Sequence, residues 1–236
     1  MEGLYQYIEP APLNLLAPAA AINRRDFPPA VSRPFFPLPA RPARQGEGAV
    51  YDQLIEVWAR ALERRDRESR GHARRVTHLA LALARRAGVP GSQLADIRRG
   101  ALLHDLGKLA VPASILFKPG PLSEAEWQVM RRHPVTAFEL LAPLDFFRNC
   151  LAIPYSHHEH WDGSGYPRRL AGAHIPLAAR LFTIVDVWDA LTNARSYHAA
   201  WPEEAVKKYI RQQSGRLFDP RVVEAFLEMM GGKQTI

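Results

Sequence analysis

Histidine and acidic residues stand at several places where the chain otherwise reads as apolar helix. In the segment GALLHDLGKLAVP, His104 and Asp105 continue the apolar face of a predicted helix, and Lys108 follows one turn later. An imidazole, a carboxylate and an ammonium group are costly on such a face unless they bind something. A lone histidine there would more often be a hydrogen-bonded core residue, but the adjacent acid and the lysine favour a metal site.

A second group of candidates begins at two adjacent histidines, His157 and His158. Adjacent histidines in a loop could be ordinary surface residues. Here the chain continues into Asp-Gly-Ser-Gly-Tyr-Pro at residues 162–167, a composition typical of a tight turn. Such a turn would hold the two imidazoles rigidly.

Three further residues extend this inventory. His72 lies four residues before Val76 and is expected to face inward on a helix, and His133 precedes a proline at a predicted helix junction. Asp186 lies within the apolar run LFTIVDVWDAL, where an unpaired buried carboxylate is strongly disfavoured. Together these side chains suit iron, manganese or zinc, and a carboxylate among them could bridge two ions.

The elements that must position these residues are predicted to be helices, because apolar residues recur at three- and four-residue intervals and no series of strands appears. Ser123 and Glu126 have the spacing of a capping box, and Asp219-Pro220 is typical of a helix start. We expect an all-α helical bundle. Its predicted helices begin near Val50, cover residues 76–84 and 92–104, open at Ser123 and Pro134, and cover residues 177–191 and 220–230.

Residues 1–48 differ from the rest, because they are rich in proline and show little periodicity. This segment is predicted to be an extended tail or linker, and Phe35, Phe36 and Leu38 would let it pack along the main domain. Residues 49–236 are predicted to form one domain.

The bulk composition excludes some classes of protein and leaves others open. The chain has 236 residues, 47% of them hydrophobic, and no apolar run long enough to span a membrane. Cys150 is the only cysteine, so no intrachain disulfide forms, and without a signal-peptide pattern the cytoplasm is the default expectation. The net charge of +7 would suit an anionic partner, although paired arginines along helices more often mark solvated faces.

Taken together the motifs are specific, and the chain resembles the HD-GYP family of bacterial cyclic di-GMP phosphodiesterases, a branch of the HD phosphohydrolase superfamily. The resemblance covers residues 51–229. It depends on His104-Asp105 with Gly107-Lys108, and on His157-His158-Glu159 followed by Gly165-Tyr166-Pro167. An isolated His-Asp pair is weak evidence, but these motifs in this order are strong.

The resemblance implies a site with two or three divalent metal ions, and iron and manganese are the metals expected first. It places the metal ligands on His72, His104, Asp105, His133, His157, His158 and Asp186, with Asp105 as the bridge. Glu68 matches a ligand of a third ion in some relatives. Since it lies in the polar run ERRDRESR, a solvated surface position is an equal alternative.

The resemblance also implies substrate contacts. Lys108 and Arg195 would contact phosphate, with Asp105 and Lys108 as the catalytic pair. The remaining contacts fall on Gly165, Tyr166, Pro167, Asp189 and His198. The family usually has a basic residue at the position of His198, so this chain departs from the pattern and its second phosphate contact is expected to be weaker or pH-dependent.

The implied reaction is attack of metal-activated hydroxide on phosphorus, which opens cyclic di-GMP to pGpG and allows a second cut to GMP. Rival functions are hydrolysis of other nucleotides or alarmones, a non-catalytic cyclic di-GMP receptor, and a protein-interaction module of the same fold. A diguanylate cyclase and a second copy of the chain are the protein partners considered. Neither a nucleic-acid polymer nor a membrane is expected to bind.

Overall fold

The computed structural model describes residues 47–66, 71–194 and 199–231, and over these ranges the chain is helical without a β-strand. The all-α prediction is therefore confirmed. The α-helices of the described part are α1 (Glu47–Asp66), α2 (His72–Arg86), α3 (Gly91–Leu103), α4 (Ala113–Leu116), α5 (Glu124–Met130), α6 (His133–Leu141), α7 (Ala152–Ser156), α8 (Leu177–Thr192), α9 (Glu203–Gln212) and α10 (Pro220–Gly231). Short 3₁₀ helices cover Leu106–Ala110, Asp145–Leu151 and Gly172–His174.

Helix α8 is the centre of the larger of two apolar clusters. Phe182, Ile184 and Val185 are fully buried there, and side chains of α2, α3, α9 and α10 pack around them. Burying such side chains is the main favourable term in folding. The predicted buried helix over residues 177–191 is thus confirmed. None of the described helices combines the length and the hydropathy that crossing a membrane requires.

The second apolar cluster joins α1 to α3, α6 and the 3₁₀ helix Asp145–Leu151. Ion pairs reinforce the contact between α1 and α3, since Arg99 Nε lies 2.8 Å from Asp52 Oδ1 and Arg98 Nη2 lies 2.6 Å from Glu56 Oε1. The inner face of α1 is therefore held in a fixed orientation against the bundle.

Local signals in the sequence account for several helix starts. Ser123 and Glu126 form the predicted capping box, in which each side chain accepts a hydrogen bond from the other residue's main-chain nitrogen. Helix α10 begins at Pro220, and Asp219 Oδ1 accepts from the nitrogen of Arg221, as expected for an N-terminal cap.

One prediction about local structure is wrong. The helix predicted over residues 92–104 is observed as Gly91–Leu103, but Asp105 and Lys108 do not extend its face, because the chain tightens there into the 3₁₀ helix Leu106–Ala110. The physical reason lies at Gly107, where a Cβ atom would stand 1.9 Å from the carbonyl oxygen of His133. The tightened turn thus packs directly on the start of α6.

Candidate metal centre

Seven of the predicted ligands meet in the middle of the bundle, although they come from five separate parts of the chain. Their ligand atoms form two groups, and within each group the atoms lie within 4.8 Å of one another. The first group is His72, His104 and Asp186, and the second is Asp105, His133, His157 and His158. Most of these side chains are buried, so water cannot satisfy them freely.

Asp105 lies between the two groups and points one carboxylate oxygen at each. Its Oδ2 is 3.1 Å from His104 Nε2, while its Oδ1 is 3.4 Å from His133 Nε2 and 3.8 Å from His157 Nε2. Burial alone would raise the pKa of this carboxyl, but the surrounding His104, Lys108 and His133 hold it well below its usual range. Asp105 is thus an anion with each oxygen facing a different set of imidazoles.

Three of the histidines are oriented in the same way, through the nitrogen that faces away from the site. Nδ1 of His104 donates to the carbonyl of Ala101 at 2.7 Å. The equivalent atoms of His133 and His157 donate to the carbonyls of Met130 and Ile153, at 2.9 and 3.1 Å. Because a carbonyl only accepts, the proton of each ring, when the ring is neutral, must be on Nδ1, which directs the Nε2 lone pair into the site.

The charge state of the histidines agrees with this orientation. Burial lowers the pKa of His133 and of His157 to about 3 each, and it holds that of His158 well below its usual range. The three rings are therefore neutral at pH 7, which is the form that binds metal. This donor set, of buried neutral imidazoles around an ionised carboxylate, fits divalent metal ions.

His72 is oriented by a carboxylate rather than by a carbonyl. Its Nδ1 donates to Asp189 Oδ2 at 2.8 Å, and its Nε2 lies 3.5 Å from Asp186 Oδ1. Asp189 in turn accepts from Arg75, with Nε at 2.6 Å and Nη2 at 2.9 Å. Burial would raise the pKa of Asp189, but hydrogen bonds from His72 and Arg75 outweigh that effect and lower it. Asp189 is 2% exposed and lies behind His72, not where the sequence analysis expected a substrate contact.

Lys108 is the cation of the site. Its Nζ lies 2.7 Å from Asp105 Oδ2 and 2.7 Å from Asp66 Oδ2 at the end of α1. The lysine predicted to contact phosphate is thus beside the carboxylate between the two groups. Asp66 was not among the predicted residues, because it lies 42 positions before Lys108 in the sequence and no motif joins the two.

The Gly-Tyr-Pro turn packs against the histidine pair, and Gly165 makes the close approach. A Cβ atom on this glycine would stand 2.3 Å from the nitrogen of His160 and 2.4 Å from the oxygen of His158. The main-chain nitrogen of Tyr166 donates to that same oxygen at 3.0 Å. The Tyr166 ring stacks on the His158 ring, with the ring centroids 4.8 Å apart. Tyr166 therefore covers one face of a candidate ligand.

The turn is held from behind by Glu159, a residue of the His-His-Glu motif to which no role was assigned. Its carboxylate is 1% exposed and accepts from the main-chain nitrogens of Arg168 at 2.8 Å and Leu170 at 2.9 Å. Arg168 also donates to Ser156 Oγ at 2.7 Å. Residues just after Pro167 are thus tied to the helix end that carries His157.

Three of the predicted site residues, Glu68, Arg195 and His198, lie outside the described residues. Arg75, Asp66 and Glu159 are residues of the site's surroundings that the sequence analysis missed. Of these, only Glu159 carried a signal, since it directly follows two adjacent histidines.

Comparison with known proteins agrees with this architecture. A family model described as HD domain matches residues 56–222. The cyclic di-GMP phosphodiesterase response regulator RpfG of Xanthomonas campestris is 45% identical over 177 residues, covering 74% of this chain and 47% of the relative. A 3′3′-cGAMP-specific phosphodiesterase 2 of Vibrio cholerae is 40% identical over 178 residues, covering 75% of this chain and 34% of the relative.

A solved structure also resembles the fold. The cyclic GMP-AMP specific phosphodiesterase V-cGAP3 of V. cholerae superposes with a TM-score of 0.61 at 21% identity, over 77% of this chain and 49% of that one. The chain spans less than half the length of the curated relatives named above. With the family match, the likeness to RpfG and the paired motifs at the site, the chain belongs to the HD domain family, in its HD-GYP branch.

Proposed function

We propose that this protein is a metal-dependent phosphodiesterase that hydrolyses cyclic di-GMP to pGpG, with a second cut to GMP allowed. The observation that carries the proposal is the position of Asp105, with one oxygen toward each of two histidine-rich groups 3.1–3.8 Å away. Such an arrangement suits two adjacent ions, which is the architecture of many phosphoester hydrolases. The names of relatives that share 35–45% identity support the substrate.

Two divalent ions, iron or manganese, would be held by the two groups, with Asp105 shared between them. When bound, such ions supply an activated water and neutralise charge on the phosphoryl oxygens. Glu68 would hold a third ion or remain on the solvated surface, and metal analysis of Glu68→Ala separates these alternatives. A loss of about one ion per chain would assign Glu68 as a ligand.

The protein's own residues have separate tasks in this proposal. Lys108, 2.7 Å from Asp105, places a positive charge where a phosphate would approach the site. Hydrogen bonds from Nδ1 to main-chain carbonyls keep Nε2 of His104, His133 and His157 directed into the site. Tyr166, which stacks on His158, would form a wall of the substrate site together with the neighbouring Gly165 and Pro167.

Arg195 and His198 complete the proposed phosphate contacts. A histidine titrates near pH 6.5, so His198 would carry little charge above neutrality. We expect cyclic di-GMP to bind less tightly at pH 8 than at pH 6, and His198→Arg to reduce that difference at matched metal occupancy. Equal loss of affinity in both proteins would remove His198 from the binding site.

The test of the proposed function is a product assay on metal-replete protein. Cyclic di-GMP should be converted to pGpG, and Asp105→Asn should abolish turnover and lower the bound metal while the helical circular dichroism spectrum is retained. The assay should include 3′3′-cGAMP, because three relatives are named for that substrate. Tight binding of cyclic di-GMP without any product would instead support the receptor alternative.

The proposal also covers the domain division, the protein partners and the cellular location. We take residues 49–236 as the catalytic domain because the family match at 56–222 falls inside it, with residues 1–48 as an extension. A diguanylate cyclase that contacts the turn at residues 162–167 and a second copy of the chain are the proposed protein partners. Cytoplasmic residence stays a prediction.

A further inference from the structure

The outer face of α1 exposes a row of large apolar side chains. Val50 is 58% exposed, Leu54 43% and Val57 50%, and the neighbouring Tyr51 and Trp58 are 37% and 38% exposed. Scattered apolar residues on a surface need no explanation, but a contiguous group on one helix often marks an interaction site. We call Val50, Leu54, Val57 and the exposed Ala61 the α1 stripe.

The α1 stripe cannot turn inward. The opposite face of the helix is already buried, with Ile55 at 0%, Ala59 at 4% and Leu62 at 6% exposure. The ion pairs of Asp52 and Glu56 with α3 fix the rotation of the helix further. The stripe therefore faces away from the bundle as a consequence of the fold.

The spacing of the stripe indicates what could cover it. Its four residues are separated by intervals of four, three and four, which is the a and d pattern of a heptad repeat. A helix face of this kind packs well against another face with the same spacing, since each side chain fills a gap between side chains of its partner. We propose that a second copy of this chain docks on the α1 stripe, with the two α1 helices antiparallel about a two-fold axis.

Charge selects the antiparallel arrangement over the parallel one. Arg64 occupies the next seam position after Ala61, and both Arg64 and Arg60 are exposed. A parallel pair would bring each Arg64 against its own copy in the seam, and like charges at such a position oppose association. Reversing one helix separates the two copies of Arg64.

The antiparallel arrangement also gives each stripe residue an apolar partner. With the two-fold axis at the level between Ile55 and Glu56, the pairing is isologous, and every contact occurs twice. The facing pairs are then Val50 with Ala61 and Leu54 with Val57. A contact of only three helical turns buries little surface, so we expect a dissociation constant in the micromolar range.

The first experiment measures association of the full chain by sedimentation velocity, from about 1 to 200 μM, a span that brackets micromolar dissociation. The wild type should shift from monomer to dimer, and the double variant Leu54→Glu/Val57→Glu should stay monomeric with an unchanged helical spectrum. Leu177→Glu, at a position on α8 that is 40% exposed, is the matched control and should dimerise like the wild type. A wild-type monomer at every concentration would overturn the proposal, as would a dimer that the double variant preserves.

The second experiment tests the direction of the helices by cysteine crosslinking. A disulfide requires Cα atoms roughly 4–7 Å apart. In the antiparallel pair, Val50→Cys should crosslink to a differently tagged Ala61→Cys chain but not to itself, because the two copies of residue 50 would be about 16 Å apart along the axis. Cys150 is 2% exposed, and oxidised wild type provides the blank. Crosslinking of Val50→Cys to itself would overturn the arrangement.

Discussion

The Nε2 atoms of His133 and His157 lie 3.2 Å apart, and each ring donates its Nδ1 proton to a main-chain carbonyl. In the neutral rings both facing atoms therefore carry lone pairs, which repel each other unless a cation lies between or beside them. The arrangement is favourable with metal and unfavourable without it.

Metal should therefore stabilise the fold. At about one hundred times its dissociation constant, Mn²⁺ should add about 2.7 kcal/mol to the free energy of unfolding and raise the melting temperature by several degrees. His133→Gln should lose most of this gain in a thermal melt with and without chelator. His78→Gln, an exposed position on α2, should keep it. An equal gain in both variants would show that the metal binds elsewhere.

The metal-free protein should lose stability on acidification from pH 6.5 toward pH 4.5. An unfolded histidine binds a proton below about pH 6.5, whereas His133 and His157 in the folded state resist protonation until their pKa of about 3. The unfolded chain then holds more protons, so stability falls as pH falls, by on the order of 1 kcal/mol per pH unit for each histidine. Urea denaturation of chelated protein measures the slope. His157→Gln should show a shallower one, and an unchanged slope would contradict burial of this ring in neutral form.

Asp189 should tune metal affinity through His72, which it contacts at 2.8 Å. Asp189→Asn removes the charge but keeps the shape, and we expect metal affinity to fall about 10–100-fold, as for other carboxylates that orient a ligand histidine. Arg75→Gln should weaken metal binding in the same direction, because Arg75 holds Asp189 in place.

Arg86→Gln is the control, since Arg86 also lies on α2 and pairs with an acid, the exposed Glu228. It should leave metal affinity unchanged in a competition titration with a fluorescent chelator. If Asp189→Asn instead changes KM for cyclic di-GMP at full metal occupancy, Asp189 contacts substrate and the orienting role is wrong.

Gly165 should tolerate no side chain. Its Cβ would stand 2.3–2.4 Å from main-chain atoms of His160 and His158, so Gly165→Ala must displace the turn. We expect a loss of about 1–3 kcal/mol of stability, as for other overpacked positions. A fall in activity should accompany it, because Tyr166 no longer stacks on His158. Gly91→Ala is the control, since its Cβ would have no neighbour within 4 Å, and a full-activity Gly165→Ala protein would contradict the proposed wall.

The ligand histidines and the helical class could be predicted because local signals carry them. His72, His157 and Asp186 are polar residues in apolar or turn contexts, which makes them conspicuous in the sequence. The pair of Arg75 with Asp189 had no such signal, because the two residues are 114 positions apart and no motif joins them. The end of α3 at Leu103 likewise depends on a close approach of Gly107 to a distant helix, which periodicity along one segment does not report.

The hydrogen bond from His72 to Asp189 spans 117 positions, and the other members of the two metal groups lie at intervals between these two. Each metal group therefore closes long loops of the chain, much as a crosslink does, and it can form only after the segments from α2 to α8 have assembled. Metal capture should then be a late event in folding. Release of metal should likewise accompany any loosening of the contacts between these segments.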